Sequence, residues 1–327
     1  MTDIESTETS NTSSAQVPPV EGQSPAAAQP PKSLIALPRE SFRSLYLQMM
    51  YCPDGPAADA ESAEGWTLMA HGSAFLYRLD GKDYVVTARH NLTNNDWPTN
   101  RWISKPETNP THLRVLFFGD SPDKWRIKVS QNSPRVANIQ VLMRQHLLPL
   151  IGADWKPIWK QHPTHGTDMD VAVLPLSPPE DVLVMPWERP AAQDDLGWPQ
   201  LSAGQDLFIV GYPYHLSTGP NFPLWIRGTV ASEPAFGYSQ DGKTYPLWLA
   251  DARTRKGQSG SPVMRYRPTG TALISDGVLR GFTGGPDSEL VGVYSGRTSD
   301  ESDLGFVWDM NEVDAICRDG VPGTVRI

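Results

Sequence analysis

Ser73-Ala74-Phe75-Leu76-Tyr77-Arg78-Leu79-Asp80-Gly81-Lys82-Asp83-Tyr84-Val85-Val86-Thr87-Ala88-Arg89-His90 is the stretch on which the fold turns. Two apolar runs, 73–77 and 84–88, flank Asp80-Gly81, a dipeptide that tolerates the positive φ angles of a tight hairpin. The stretch therefore reads as a β-hairpin, with His90 placed just where its second strand ends. Further strands are predicted at 112–118, 171–174, 207–210 and 292–295, each short and bounded by turn residues. The strand–helix alternation that a parallel α/β sheet needs is not visible. The pattern predicts an all-β chain, as antiparallel barrels or a sandwich. Helices are expected at two places, over 137–149 and from about Asp309 to Cys317.

Composition agrees with this reading. The 327 residues include 27 Gly and 31 Pro, an excess that would break a helical bundle or coiled coil. Part of the Pro is local: residues 1–32 hold five Pro, five Ser and four Thr, no aromatic residue and one basic one, Lys32. Such a segment buries too little apolar surface to offset its ordering entropy, so a disordered tail is expected over 1–36. The net charge of −9 repels phosphate, so neither nucleic acid nor an anionic membrane is an expected partner. No run approaches the ~18 apolar residues of a membrane span, and the acidic start, Met1-Thr2-Asp3-Ile4-Glu5, does not read as a signal peptide. The expected address is the cytoplasm. Cys52 and Cys317 are too few for a disulfide framework and are expected as reduced thiols. No cofactor and no metal are expected: His162-Pro163-Thr164-His165 reads as a loop without a third ligand.

The chemistry concentrates in Arg255-Lys256-Gly257-Gln258-Ser259-Gly260-Ser261-Pro262-Val263. A serine among glycines can sit on a tight turn with its hydroxyl exposed. The backbone N–H groups of Gly257 and Ser259 can then converge as an oxyanion hole. A serine needs a base and an orienting acid. His90 at a strand end is the candidate base. Asp170, directly before the apolar run 171–174, is the candidate acid, with Asp168 as its competitor. The order His, Asp, Ser excludes the α/β-hydrolase arrangement.

With these residues in place, the sequence resembles the chymotrypsin-like (trypsin-like) serine peptidases over most of residues 66–317. Thr87-Ala88-Arg89-His90 is similar to the family's T-A-A-H motif, Asp170-Val171-Ala172-Val173-Leu174 to D-I-A-L-L, and Gly257-Gln258-Ser259-Gly260-Ser261-Pro262 to G-D-S-G-G-P. Gly292-Val293-Tyr294-Ser295-Gly296 resembles the substrate-binding strand, and Gly305-Phe306-Val307-Trp308-Asp309 the family's C-terminal end. Gln258 replaces the Asp of secreted members, so activation by N-terminal trimming is not expected. The G-x-S-G-S-P-V form resembles instead the bacterial glutamyl-endopeptidase branch.

The resemblance implies two six-stranded antiparallel β-barrels, with a catalytic triad of His90, Asp170 and Ser259 in the cleft between them. The first barrel is placed at 37–185, an inter-barrel linker at 186–200, and the second barrel with the terminal helix at 201–327. The His-to-Asp interval is long for the family. The extra length, an insertion at about 120–165, could be a lid, an exosite or a partner surface. Arg253, six residues before Ser259, either lies at the base of the primary specificity pocket or points to solvent; Tyr294, Ser295, Gly296 and Arg297 belong to the substrate-binding strand. A guanidinium at the base would favour Glu or Asp before the cleaved bond. Two functional readings follow. One is a cytoplasmic serine endopeptidase for limited proteolysis of polypeptides, controlled by a protein partner or a trigger. The other is a silent or latent module that binds a polypeptide.

Overall fold

A computed structural model describes residues 37–55, 65–120, 126–129, 137–140, 142–189, 198–267, 272–275, 278–282, 284 and 287–326. The tail expected over 1–36 lies outside the described residues. The hairpin forms as read: β2 (Thr67–Leu79) pairs antiparallel with β3 (Lys82–Thr87), after β1 (Ser44–Tyr51). Asp80 and Gly81 take φ of 50° and 73°, the two positive angles that a type I′ turn requires. The short α1 (His90–Thr93) follows β3, and the chain continues through β4 (His112–Phe118), the hairpin of β5 (Arg126–Val129) and β6 (Ala137–Gln140), β7 (Met143–Pro149), β8 (Lys160–Gln161), β9 (Ala172–Leu176) and β10 (Trp187–Glu188).

The first sheet has the order β8-β9-β3-β2-β1-β4-β7, with β10 joined to β2 and one further strand on the outer edge of β8. Its ninth member, β21 (Val321–Pro322), is contributed by the C-terminal end of the chain. The second half closes on itself. β11 (Asp206–Gly211), β12 (Leu224–Val230), β15 (Leu247–Ala252), β16 (Ser261–Arg267), β19 (Asp287–Arg297) and β20 (Leu304–Asp309) form a six-stranded barrel in the order β11-β12-β15-β20-β19-β16. Two small hairpins, β13–β14 (Tyr238–Gln240 and Lys243–Tyr245) and β17–β18 (Ala272–Ser275 and Val278–Phe282), stand apart from it. α2 (Met310–Asp319) follows β20. Its Asp309 cap accepts from the Asn311 N–H at 2.7 Å, which satisfies one orphan donor of the first turn.

The strands read as nearly continuous apolar runs because both of their faces are covered. Along β2, Ala74 and Leu76 enter one core with Leu47, Val85, Val115 and Leu174. Phe75 and Tyr77 enter a second core that gathers Val86 and Val173 with Val210, Met264, Val293 and Trp308 from the barrel and Val313 and Ile316 from α2. The barrel has its own interior of Leu207, Ile209, Trp248, Val263, Tyr294 and Val307. Each such large side chain contributes ~1.5–3 kcal/mol when fully buried. Cys52 and Cys317 are buried free thiols.

One expectation is overturned. The stretch 137–149 is not helical: β7 runs antiparallel to β4 from His112↔Pro149 to Phe118↔Met143. Met, Arg, Gln and Leu favour helix intrinsically, but β4 presents a free backbone edge beside Leu113, Val115 and Phe117. Satisfying that row of N–H and C=O groups outweighs a few tenths of a kcal/mol per residue of propensity. β7 and β8 both lie within 120–165 and both pair into the sheet, so this stretch is partly structural. Trp187–Glu188, in the expected linker, pairs in parallel with β2, while residues 190–197 lie outside the described residues.

Candidate active site

Register brings the first two site residues together. β3 and β9 pair antiparallel, ending at Thr87↔Ala172. Residues just past the end of β3 therefore meet residues just before β9. The Arg89 N–H donates to the Asp170 carbonyl at 3.3 Å, the His90 N–H to Asp170 Oδ1 at 2.9 Å, and His90 Nδ1 to Asp170 Oδ2 at 2.7 Å. A carboxylate only accepts, so the bond places the neutral ring's proton on Nδ1 and leaves the Nε2 lone pair available. Burial alone would lower the His90 pKa; the Asp170 charge and hydrogen bond outweigh it and raise it above its ordinary 6.5. Asp168 goes elsewhere: it is half-exposed and pairs with Lys243 at 2.8 Å.

The turn carrying Ser259 runs from β15 into β16. Gly257 and Gly260 take φ of 98° and 88°. Neither position admits a side chain: a Cβ would lie 2.5 Å from the Tyr212 carbonyl oxygen at Gly257 and 2.1 Å from the Ser73 carbonyl oxygen at Gly260. Two bonds orient the peptides in between. The Tyr214 N–H donates to the Lys256 carbonyl at 2.7 Å and the Ser261 N–H to the Gln258 carbonyl at 2.9 Å. In a trans peptide the N–H points opposite to the C=O. The Gly257 and Ser259 N–H groups are thus turned away from those anchors, and neither donates to a described residue. Gln258 is buried, and its Oε1 accepts the Arg255 N–H at 2.9 Å, so it braces the turn from within.

His90, Asp170, Gly257, Ser259, Ser295, Gly296 and Arg297 line one cavity of about 340 Å³. A neighbouring hollow of about 520 Å³ is lined by Ser259, Tyr294, Gly296, Arg297 and Asp300 among others. Ser259 and His90 make no hydrogen bond to each other in this structure. Tyr294 is a core residue: its hydroxyl bonds Thr254 Oγ1 at 2.5 Å, and its carbonyl accepts the Gly260 N–H at 2.7 Å. Burial pushes the Tyr294 hydroxyl up to about 12. Ser295 Oγ accepts from Trp308 Nε1 at 3.0 Å. Arg297 lines both cavities and donates to the Asp300 carbonyl and carboxylate at 2.6 and 3.2 Å. Arg253 is exposed and is not among the residues that line either cavity.

Other residues of the site carried no readable signal in the sequence. His71 lines the same cavity as Ser259, bonds Tyr46 through Nδ1 and packs against His215, with ring centroids 3.6 Å apart and the planes tilted by 48°. Burial and the neighbouring His215 push the His71 pKa down to about 4. Ser73 and Asn91 join the Ser259 turn to the first sheet: the Ser73 N–H and Asn91 Nδ2 both donate to the Ser259 carbonyl, at 3.0 and 2.9 Å. Asn91 sits in plain view after His90, but in the sequence Asn91-Leu92-Thr93 reads only as a glycosylation pattern.

His162, His165 and Glu312 place possible ligand atoms within 4.8 Å of one another. Their hydrogen bonds argue against a metal. His162 Nδ1 accepts the N–H groups of Thr164 and His165 at 3.1 and 3.0 Å, so the ring proton sits on Nε2, 2.9 Å from Glu312. The group thereby ties α2 to the 162–166 loop.

No helix among the described residues is long and apolar enough to cross a membrane. No curated protein sequence matches the chain. Among solved structures, similarity extends to an HtrA-type protease with tripeptide, at 12% identity and a TM-score of 0.39, over 85% of this chain. The chain spans 60% of that protease's length. The active form of the Rv3671c protease from M. tuberculosis is 15% identical, over 92% of this chain and 97% of that one, with a TM-score of 0.38. A serine endoprotease from Yersinia pestis is 14% identical, over 88% and 70%, with a TM-score of 0.40. The family is decided elsewhere. The trypsin-like peptidase domain model matches residues 72–271, from the start of the His90 hairpin through the Ser259 turn, and this is more than half of the sequence: the chain belongs to the trypsin-like peptidase domain family.

Proposed function

We propose that the protein is a serine endopeptidase whose triad is His90, Asp170 and Ser259. The observation that carries the reading is the double hydrogen bond from His90 to Asp170 at the edge of a cavity shared with Ser259. In this mechanism Ser259 Oγ attacks the peptide carbonyl carbon while His90 Nε2 takes its proton. The oxyanion is received by the N–H groups of Gly257 and Ser259. His90 returns the proton to the leaving amine as the C–N bond breaks, and an acyl-enzyme remains on Ser259. Water, deprotonated by the same imidazole, releases the acid. Asp170 holds the ring tautomer and offsets the imidazolium charge.

We read the first sheet as the counterpart of the closed barrel, with the cleft between the two. The resemblance to glutamyl endopeptidases predicts an acidic residue before the cleaved bond. Arg297 is the guanidinium placed to receive it, and the acidic side chain would displace the exposed Asp300. Asp300 is solvent-exposed, so water receives its carboxylate when the largely buried Arg297 changes partner. The two buried free thiols fit a reducing compartment, and on this reading the protein carries out limited proteolysis of polypeptides inside the cell, under the control of a partner.

One observation favours a second reading, a latent module that needs a trigger: Ser259 Oγ and His90 are not hydrogen-bonded, although such bonds often tighten only with substrate. Digestion of an unfolded protein substrate separates the two. Cleavage by the wild type, abolished in both Ser259→Ala and His90→Ala, is the expected result. No cleavage by the wild type alone, with cleavage on adding cell lysate that Ser259→Ala abolishes, supports the latent reading. No Ser259-dependent cleavage in either condition rejects the enzyme.

A further inference from the structure

Asn91 follows the candidate base directly and is buried to 2% exposure. Its Nδ2 donates to two acceptors, Thr87 Oγ1 at 2.9 Å and the Ser259 carbonyl at 2.9 Å. The chemistry of the partners selects the amide. A carbonyl can only accept, and Thr87 Oγ1 has committed its own proton to the Ser73 carbonyl at 2.8 Å. The site therefore requires one short group with two N–H donors. A hydroxyl has one donor, and a carboxylate has none.

The same small network holds the rest of the turn. The Ser259 carbonyl takes its second donor from the Ser73 N–H at 3.0 Å. Ser73 Oγ donates to the Gly257 carbonyl at 2.8 Å and accepts the Tyr212 N–H at 3.1 Å. The amide packs directly on Gly72 of β2, where a Cβ would lie 2.7 Å from Asn91 Nδ2. The carbonyl of the nucleophile is thus bound by the side chain adjacent to the base, 168 residues away in sequence.

We propose that Asn91 is a positioning residue, which fixes Ser259 relative to His90 by tying the Ser259 peptide to the helix that carries the imidazole. The proposal rests on the serine endopeptidase reading. It acts through the orientation of the Ser259 peptide and touches neither Arg297 nor Gly296, which lie on β19. Loss of the amide should slow acylation and leave substrate binding alone. A displacement of about 1 Å between reacting groups costs about 100-fold, so a fall in kcat of about 10- to 100-fold is expected, with KM within about 2-fold.

The test compares the wild type, Asn91→Ala and Asn91→Asp by the rate of fluorophosphonate labelling at Ser259 and by kcat and KM on one peptide. Asn91→Asp keeps the shape and removes both donors, so it should be at least as slow as Asn91→Ala. Ser73→Ala, which keeps both the Asn91 amide and the Ser73 N–H on the Ser259 carbonyl, should lose less than either, and Asn91→Asp serves where Asn91→Ala does not fold. The NMR resonance of the His90 Nδ1 proton should persist in every variant, because the Asp170 pair is untouched. Labelling of Asn91→Asp at the wild-type rate overturns the proposal, as does a raised KM at unchanged kcat or loss of the His90 resonance. Failure of the wild type itself to label indicts the endopeptidase reading instead.

Discussion

Replacing Asp170 by Asn keeps the shape of the side chain and removes its charge. In the native site the carboxylate accepts both His90 N–H groups, at 2.9 and 2.7 Å. An amide can accept only one of them. If its NH2 faces Nδ1, the ring must place its proton on Nε2, where it blocks the transfer from Ser259. If its oxygen faces Nδ1, the tautomer survives but the imidazolium that forms in the transition state has no countercharge. A charge-assisted hydrogen bond is worth ~1.5–3 kcal/mol, and two are altered, so a loss of ~3–6 kcal/mol is expected. At ~1.4 kcal/mol per decade this is a fall of about 100- to 10,000-fold in the acylation rate, and the wrong tautomer alone reaches the upper end in this type of triad. The pH dependence gives a second signature. His90 works as a base only when neutral, so activity rises as pH rises through its folded pKa, which Asp170 holds above 6.5. In Asp170→Asn burial is opposed only by the Asp96 charge, the smaller of the two acidic contributions, and the acid limb should move down. The linkage has the matching sign: the raised pKa stabilises the fold fully below 6.5, and this contribution is lost as pH rises through the folded value. The assay is the fluorophosphonate labelling rate from pH 4.5 to 9 for both proteins. A loss of less than about 10-fold, or an acid limb that stays in place or moves up, would refute the reasoning.

Three further outcomes are expected. Gly260→Ala should lower Tm steeply or prevent folding, because its Cβ would sit 2.1 Å from the Ser73 carbonyl oxygen at a φ of 88°; a thermal scan that moves by less than a few degrees contradicts this. His71 is held at about 4, and burial lowers the His215 pKa too, so the unfolded chain binds protons that the fold resists. Stability should then fall as pH drops from about 6.5 toward 4, and His71→Gln should flatten that slope in urea titrations; equal slopes would sink the claim. Arg253→Ala should leave a peptide-library cleavage profile unchanged, whereas Arg297→Ala should remove any preference for Glu or Asp. The reverse pattern would return the specificity role to Arg253.

The legible parts of this molecule were those written in local chemistry. Asp80-Gly81 has one good conformation between two apolar runs, so the hairpin could be read directly. His90 and Asp170 could be read because each abuts a strand, and antiparallel pairing of those strands brings the abutting residues together. What could not be read depends on partners distant in sequence. β7 has the composition of a helix and is extended because β4 needs an edge partner. Arg253 and Arg297 are both arginines near the expected pocket, and spacing alone does not say which way a side chain leaves the chain. Asn91 binds a carbonyl whose position is known only after the two halves have met, and Ser73 looks like any small residue in a strand.

The central claim is that Ser259 is a nucleophile activated by His90. It is tested most directly by treating the folded protein with a fluorophosphonate and locating the adduct by tandem mass spectrometry. The account predicts one adduct, on Ser259, absent from denatured protein and reduced by orders of magnitude in His90→Ala. An adduct that forms equally in His90→Ala, or that falls on another residue such as the exposed Tyr214, would contradict it.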